Sequence, residues 1–432
     1  MKLCLVIPTR ERARYLDTAI RSAIAAADNV PCDVEIIVSD NASNDETPQV
    51  VAKFRDTRLI FKRAEQRLSM RENFEFALSH TTGDYVVFIG DDDAVLPNGL
   101  RLLSKIISEN DVDIIKWRVL NYMWPNPEAG TVGTLKVRPQ ILNGRLIKIK
   151  PAEVLKKFEN ARFRTYHEGG MIYHGCISRR LIEKAKAASG GPFFRGSSPD
   201  VFSAMQALMV SDRPMLAINL AVTMGGASPR SNGAAGQAAA TSGGSIEGTE
   251  FASFVDESTS DLWQCKLPAS IQSISMLTLD CLQTAASLHG HDLHINVDAW
   301  SKKVAKDIDT FGEPARSECL AFAQKKLGLD PILKSMTPAK ATKQAPVFSP
   351  SQAQPTATKL KRSFLKLQYT GGDEMLDSAT AAILLDELMN LRSFDKPATS
   401  SLSAVRNVVE LREKAGRLAR RPVGSKTISS EK

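Results

Sequence analysis

Short apolar runs and helically spaced stretches take turns along the first hundred residues. Residues 3–7 and 34–39 read as buried strands, and 59–61 as a third. Between the first two, Tyr15, Ala19, Ile20 and Ala23 recur at helical spacing. A second helix runs through Phe54, with Asn44 or Asp45 as its N-cap, and a third covers 70–79. Residues 85–89 are a β-branched and aromatic run, as expected of a strand covered on both faces. Strand and helix alternating at this spacing predict an α/β sandwich around a mostly parallel sheet.

That strand stops at Gly90, and Asp91, Asp92 and Asp93 follow without a break. Adjacent carboxylates at a poorly solvated strand end repel one another. A hard divalent cation relieves the conflict; a solvated acidic turn before a helix starting near Asn98 is the alternative. Ligands of such sheets sit beyond the carboxyl ends of the strands. Polar loops 8–12, 40–45 and 90–93 all fall there. The first is not GxGxxG, which disfavours a dinucleotide site; Thr9, Arg10 and Arg12 suit a nucleotide met by backbone and charge.

Further along, Pro199 suits the first turn of a helix that buries Phe202, Met205 and Leu208. Asp200 follows it as a first-turn acid facing the helix dipole. Residues 214–224 read as a closing strand. The expected organisation is a catalytic unit over 1–233, a flexible Gly/Ala/Ser loop over 234–250 and a helical region over 251–336. A disordered linker over 337–372 and amphipathic helices with a basic tail over 373–432 complete it. Those last helices are suited to docking on the catalytic unit, to self-association or to anionic lipid, and the sequence does not choose.

Composition changes this picture little. Hydrophobic residues make up 43% and charged residues 24% of 432, as in ordinary globular proteins. Net charge is +8, but the surplus gathers at Arg406, Arg412, Lys414, Arg417, Arg420 and Arg421. Without interleaved aromatics that tail does not suggest nucleic acid. Six scattered cysteines point to reduced thiols, and neither a signal peptide nor a spanning apolar run is evident. The expected location is cytoplasmic, with peripheral membrane contact left open. His167 and His174 lie seven apart, not as HExxH, and the His289, His291, His294 group reads as a loop.

Three segments together carry a resemblance: Val6-Ile7-Pro8-Thr9-Arg10, then Ile37-Val38-Ser39-Asp40-Asn41-Ala42-Ser43, then Phe88 through the acidic triplet to Pro97. In that order they resemble family 2 glycosyltransferases of the GT-A fold. The resemblance implies a Rossmann-like sandwich followed by a helical C-terminal extension. It implies a metal-dependent inverting enzyme that moves sugar from a nucleotide diphosphate, UDP above all, to a hydroxyl acceptor in surface polysaccharide or glycolipid synthesis. Donor contacts would be Pro8, Thr9, Arg10, Arg12, Asp40, Arg71, Asp91 and Arg230, with Asp40 on the base imide and Asp91 near the ribose. Asp92 would be the main ligand of Mn²⁺ or Mg²⁺, supported by Asp93. Many members carry Asp where this chain has Gly90, and an acid where it has Pro199.

The family likeness also makes Asp200 the base, puts Tyr173, His174 and Arg179 on the acceptor side, and places the 225–233 loop, with Arg230 and its serines, over the diphosphate. For Asp40 a capping Asx-turn is the plainer alternative. Two other classes compete. A nucleotidyltransferase should show glycines after the first strand, and 8–12 has none. A non-catalytic scaffold binding nucleotide-sugar or glycan would not need Asp200.

Overall fold

The structure, a computed structural model, describes residues 1–126, 130–137, 142–196, 198–229, 257, 267, 271, 273–332, 365–368 and 377–389. The main sheet is built from β1 (Lys2–Thr9), β2 (Asp33–Asp40), β3 (Leu59–Arg63), β4 (Tyr85–Phe88), β6 (Ile114–Lys116), β9 (Leu146–Ile149), β10 (Gly175–Ser178) and β11 (Met215–Ile218). Its order is β3-β2-β1-β4-β10-β6-β11-β9. β1, β2, β3 and β4 run parallel, whereas β10 runs antiparallel to both β4 and β6. The N-terminal end of β10 therefore lies at the edge where β1, β2 and β4 end. A second sheet, β13-β8-β7-β12-β5, joins β5 (Ala94–Val95), β7 (Leu120–Met123), β8 (Thr134–Val137), β12 (Thr223–Ala227) and β13 (Leu365–Gln368). This is the expected GT-A type sandwich.

Side chains alternate across β1: Leu3, Leu5 and Ile7 join one core, Cys4 and Val6 the other. The first core is covered by α1 (Ala13–Ala27), α2 (Thr47–Ala52) and α4 (Gly99–Glu109). The second is covered by α3 (Met70–Ser79), α5 (Pro151–Glu159), α6 (Arg179–Ser189) and α7 (Pro199–Val210). Local signals explain the ends. Ser69 and Glu72 form a capping box on α3, and Pro199 takes the first turn of α7. The second helix starts at Thr47, later than expected, because the Asp45 carboxylate accepts from the Thr47 N–H at 3.0 Å.

The C-terminal part is not a separate appendage. α8 (Ile274–His289), α9 (Val297–Ile308) and α10 (Ala315–Leu327) contribute to the second core. Trp300 of α9 is 0% exposed, and its indole N–H donates to the Phe158 carbonyl at 3.0 Å. α11 (Ser378–Met389) inserts Ala381, Ala382 and Leu385 into the first core. Within the stretch expected to be a linker, β13 pairs antiparallel with β8. Ladder pairing outweighs local composition there. The expected loop at 234–250 and the basic tail lie outside the described residues. No helix among the described residues is long and apolar enough to cross a membrane.

Candidate active site

The loops after β1 and β2 are bonded to each other before any ligand is considered. Asp45 accepts from the Ala13 N–H at 2.9 Å and so caps α1 from the neighbouring loop. Ser43 accepts from the Glu11 N–H at 2.9 Å, and Glu11 returns a bond to the Asn44 N–H at 2.9 Å. Among the described residues, Glu11, Ala42, Ala161 and His174 are the non-glycine residues with positive φ. Glu11, Ala42 and His174 border this crevice, where backbone strain is held by surrounding bonds, as at functional sites generally.

The acidic triplet is buried at 1–4% exposure, and its members have different surroundings. Asp91 accepts from Thr9 Oγ1 at 2.8 Å and pairs with Arg12 at 3.1 Å. Burial raises its pKa against the pull of that arginine. Burial also works against a charged Arg12, but Asp91 and Asp92 outweigh it and hold the guanidinium charged. Asp93 is enclosed by donors: Tyr173 Oη at 2.6 Å, the Gly226 N–H at 2.6 Å, His174 Nε2 at 3.1 Å and the Gly90 N–H. Burial opposes ionisation there, yet His174 and these bonds hold its carboxyl below the usual range.

Asp92 is the exception. Its Oδ2 accepts from the Ser228 N–H at 3.3 Å. Burial, then Asp93 and Asp91, push its pKa up to about 7. Beside it, the Ser228 hydroxyl is buried and unpartnered among the described residues. A buried polar atom left so is costly unless something else satisfies it. Among the described residues no three His, Cys, Asp or Glu side chains form a ready cation cage. One carboxylate oxygen and one hydroxyl still fit a hard cation that takes its remaining oxygens from phosphate. Asp93, expected to support the metal, is the acid that these internal donors surround.

Two glycines are dictated by this packing. A Cβ on Gly226 would fall 1.7 Å from the Asp92 carbonyl oxygen, so the residues expected to begin a loop instead continue β12 against the acidic corner. A Cβ on Gly90 would lie 2.6 Å from Tyr173 Oη, which explains why Asp is not found at this position here. Gly90→Ala is expected to cost about 1–3 kcal/mol through overpacking. In a Tyr173→Phe background the cost should shrink markedly. A double-mutant cycle by urea unfolding checks this, and additive losses would show that the two positions do not share space.

His174 ties the acidic corner to the second sheet. The Trp117 indole, which can only donate, bonds Thr223 Oγ1 at 2.8 Å, and Thr223 lies 2.7 Å from His174 Nδ1. Thr223 then donates to Nδ1, and Nε2–H is left for Asp93. Tyr173 and His174, expected on the acceptor side, both bond Asp93. Arg179 donates to the Thr81 and Gly83 carbonyls, at 3.1 and 3.3 Å, beside the start of β4 and at the far edge of the sheet from the site. It lies outside the site. Nearer Asp200 stands Tyr166, its ring stacked on that of His167 at 4.5 Å, on a 3-10 turn that the sequence pattern did not reveal. Burial, His174 and Lys116 push His167 down to about 4.

Asp200 opens α7 with its side chain held by the Ser198 hydroxyl. Burial raises its pKa, against the Ser198 bond and the nearby backbone N–H groups. Ser203, one turn on, accepts from the Ile172 N–H at 3.1 Å and so joins this helix to the segment leading into His174. Arg71, read as a donor contact, is buried and donates to the Gly196 carbonyl at 3.1 Å, in the loop before Asp200. Asp40 forms the Asx-type turn: it accepts from the Ser43 N–H at 3.0 Å and from Arg63 at 2.7 Å. Arg63 was not singled out by the sequence. Pro8 pairs with Ser39 in the ladder, Arg10 pairs with Glu257, and Arg230 lies outside the described residues.

Residues 4–184 match the family model for glycosyl transferase family 2. The chain is 32% identical over 117 residues to the abequosyltransferase RfbV of Salmonella typhimurium, covering 26% of this chain and 34% of that one. It is 34% identical over 111 residues to the GalNAc(5)-diNAcBac-PP-undecaprenol beta-1,3-glucosyltransferase of Campylobacter jejuni, covering 25% and 35%. The chain therefore matches about a third of the length of these curated relatives. Among solved structures, Staphylococcus aureus TarS 1–349 in complex with UDP overlays with TM-score 0.41 at 15% identity, covering 75% of this chain and 85% of that one.

Proposed function

We propose that the chain, whose residues 4–184 match glycosyl transferase family 2, transfers a sugar from a nucleotide diphosphate, a UDP-sugar, to a hydroxyl of a surface polysaccharide or glycolipid. The observation that carries the reading is the buried carboxylate of Asp92 beside Ser228, which accepts from the Ser228 N–H while its neighbours Asp91 and Asp93 are held by other donors, inside a corner built from the strand-end loops. Asp92 with Ser228 would hold Mn²⁺ or Mg²⁺. When bound, such an ion supplies charge neutralisation for the departing diphosphate. Thr9 and Arg12 fix Asp91 for the ribose, and the Arg12 charge stands beside the phosphate position. The base imide N–H would enter at Asp40, where the Arg63 guanidinium, 40% exposed, now rests. Each carboxylate oxygen has a second lone pair for it.

Asp200 takes the proton of the acceptor hydroxyl on the oxygen that Ser198 does not engage. Its raised pKa brings it nearer the optimum for a general base at neutral pH. The acceptor oxygen bonds the anomeric carbon as the bond to diphosphate breaks, from the opposite face, so the centre inverts. Tyr166 near Asp200, and His167 stacked on it, offer an aromatic surface and a neutral imidazole for the incoming sugar.

Thermal melting with UDP and Mn²⁺ is the direct test. At a hundredfold excess over Kd, binding to the native state alone adds about 2.7 kcal/mol and raises Tm by several degrees. The rise should need both components together. A Tm indifferent to the pair would remove the donor reading.

A further inference from the structure

We propose that α11 is a clasp that holds the acidic corner in its ligand-binding shape, and that Ser378 and Asp386 are positioning residues for donor binding. This rests on the donor reading of Asp92. Ser378 Oγ donates to the Asp93 carbonyl at 3.2 Å, although 285 positions separate the two residues. One helical face further on, Asp386 accepts from both the backbone N–H of Asn98, at 2.6 Å, and its side-chain amide, at 2.7 Å. Asn98 immediately precedes α4 and has no side-chain cap bond of its own. The segment from Asp91 to Asn98 is thus gripped near both ends by one helix. Arg21 of α1 anchors that helix by pairing with Asp377 at 2.8 Å.

The apolar face of α11 closes the same region. Ala381, Ala382 and Leu385 are 0% exposed and belong to the core that contains Val95, Leu96 and Leu100. Small residues at 381 and 382 allow the helix to approach closely. On the other side, the Trp124 indole donates to the Asp92 carbonyl at 2.8 Å. The main chain of the corner is therefore held from two sides: by the second sheet through Asp92, and by α11 through Asp93 and Asn98. Side chains that must converge on a diphosphate depend on such backbone support.

The test uses the full chain and three variants: Ser378→Ala, Ser378→Thr and Asp386→Asn. Calorimetry measures UDP affinity at saturating Mn²⁺, and amide hydrogen exchange follows residues 91–98. Losing one neutral hydrogen bond should weaken UDP binding by about fivefold. Ser378→Ala and Asp386→Asn should each do so and speed exchange at 91–98, while Ser378→Thr retains the hydroxyl and restores both. Wild-type affinity in Ser378→Ala and Asp386→Asn would overturn the clasp, even with a lowered Tm, because a merely stabilising helix would give that result. If the wild type itself ignores UDP, the donor reading fails, and the clasp is judged on exchange alone: faster exchange at 91–98 supports it, unchanged exchange overturns it.

Discussion

Alanine at position 92 should reduce sugar transfer by about a thousandfold, the loss expected when several kcal/mol of charge stabilisation at a leaving diphosphate disappears. The same change should not destabilise the fold. Asp92 is buried beside Asp93 and Asp91, and its pKa is pushed up to about 7. The native state of the metal-free protein therefore binds a proton that the unfolded chain has already released. Its contribution to stability is complete below the unfolded pKa of an aspartate, about 4, and is lost as pH rises through about 7. Metal-free Asp92→Ala should then be more stable than wild type at about pH 8, and by a smaller margin at about pH 5. Mn²⁺-dependent turnover and urea unfolding at the two pH values check both halves. Retained turnover would remove Asp92 from the chemistry; an equal margin at both pH values would mean that the carboxylate conflict is not felt.

Asp200→Asn should cost transfer about a hundred- to ten-thousandfold, the range associated with a general base. The amide keeps the size of the carboxylate at the start of α7 and can still accept from Ser198, but it cannot take a proton. UDP affinity with Mn²⁺ should stay within about twofold, since Asp200 acts on the acceptor and not on the donor. Near-wild-type transfer would move the base elsewhere. Loss of UDP binding together with transfer would show that Asp200 shapes the donor pocket.

The part of the chain before α4 was legible because its signals are local. Apolar runs of strand length and helical spacing through residue 79 set the order of elements, and the parallel sheet followed. Bringing loops 8–12, 40–45 and 90–93 to one edge followed in turn from that sheet. What could not be read was which acid ends up satisfied. Asp92 and Asp93 are adjacent and identical in the sequence, yet Asp93 is enclosed by Tyr173, His174 and Gly226, while Asp92 faces Ser228. Those donors come from 80 to 133 positions away, and no local pattern encodes them. Arg179 misled for the opposite reason: it sits close in sequence to Tyr173, but β10 carries it to the far edge of the sheet. The strand at 365–368 was not legible because pairing with β8 decides it, not composition.

The bond from Ser378 to the Asp93 carbonyl has a consequence for how the polypeptide is made. The 285 positions between them take about 15–60 s to translate at usual ribosomal speeds of about 5–20 residues per second. Throughout that interval the nascent chain can pair β1, β2 and β4, whose contacts are comparatively local, but it must wait for α11. A chain assembled this way leaves its acidic corner unfinished until residues 378–389 have been made.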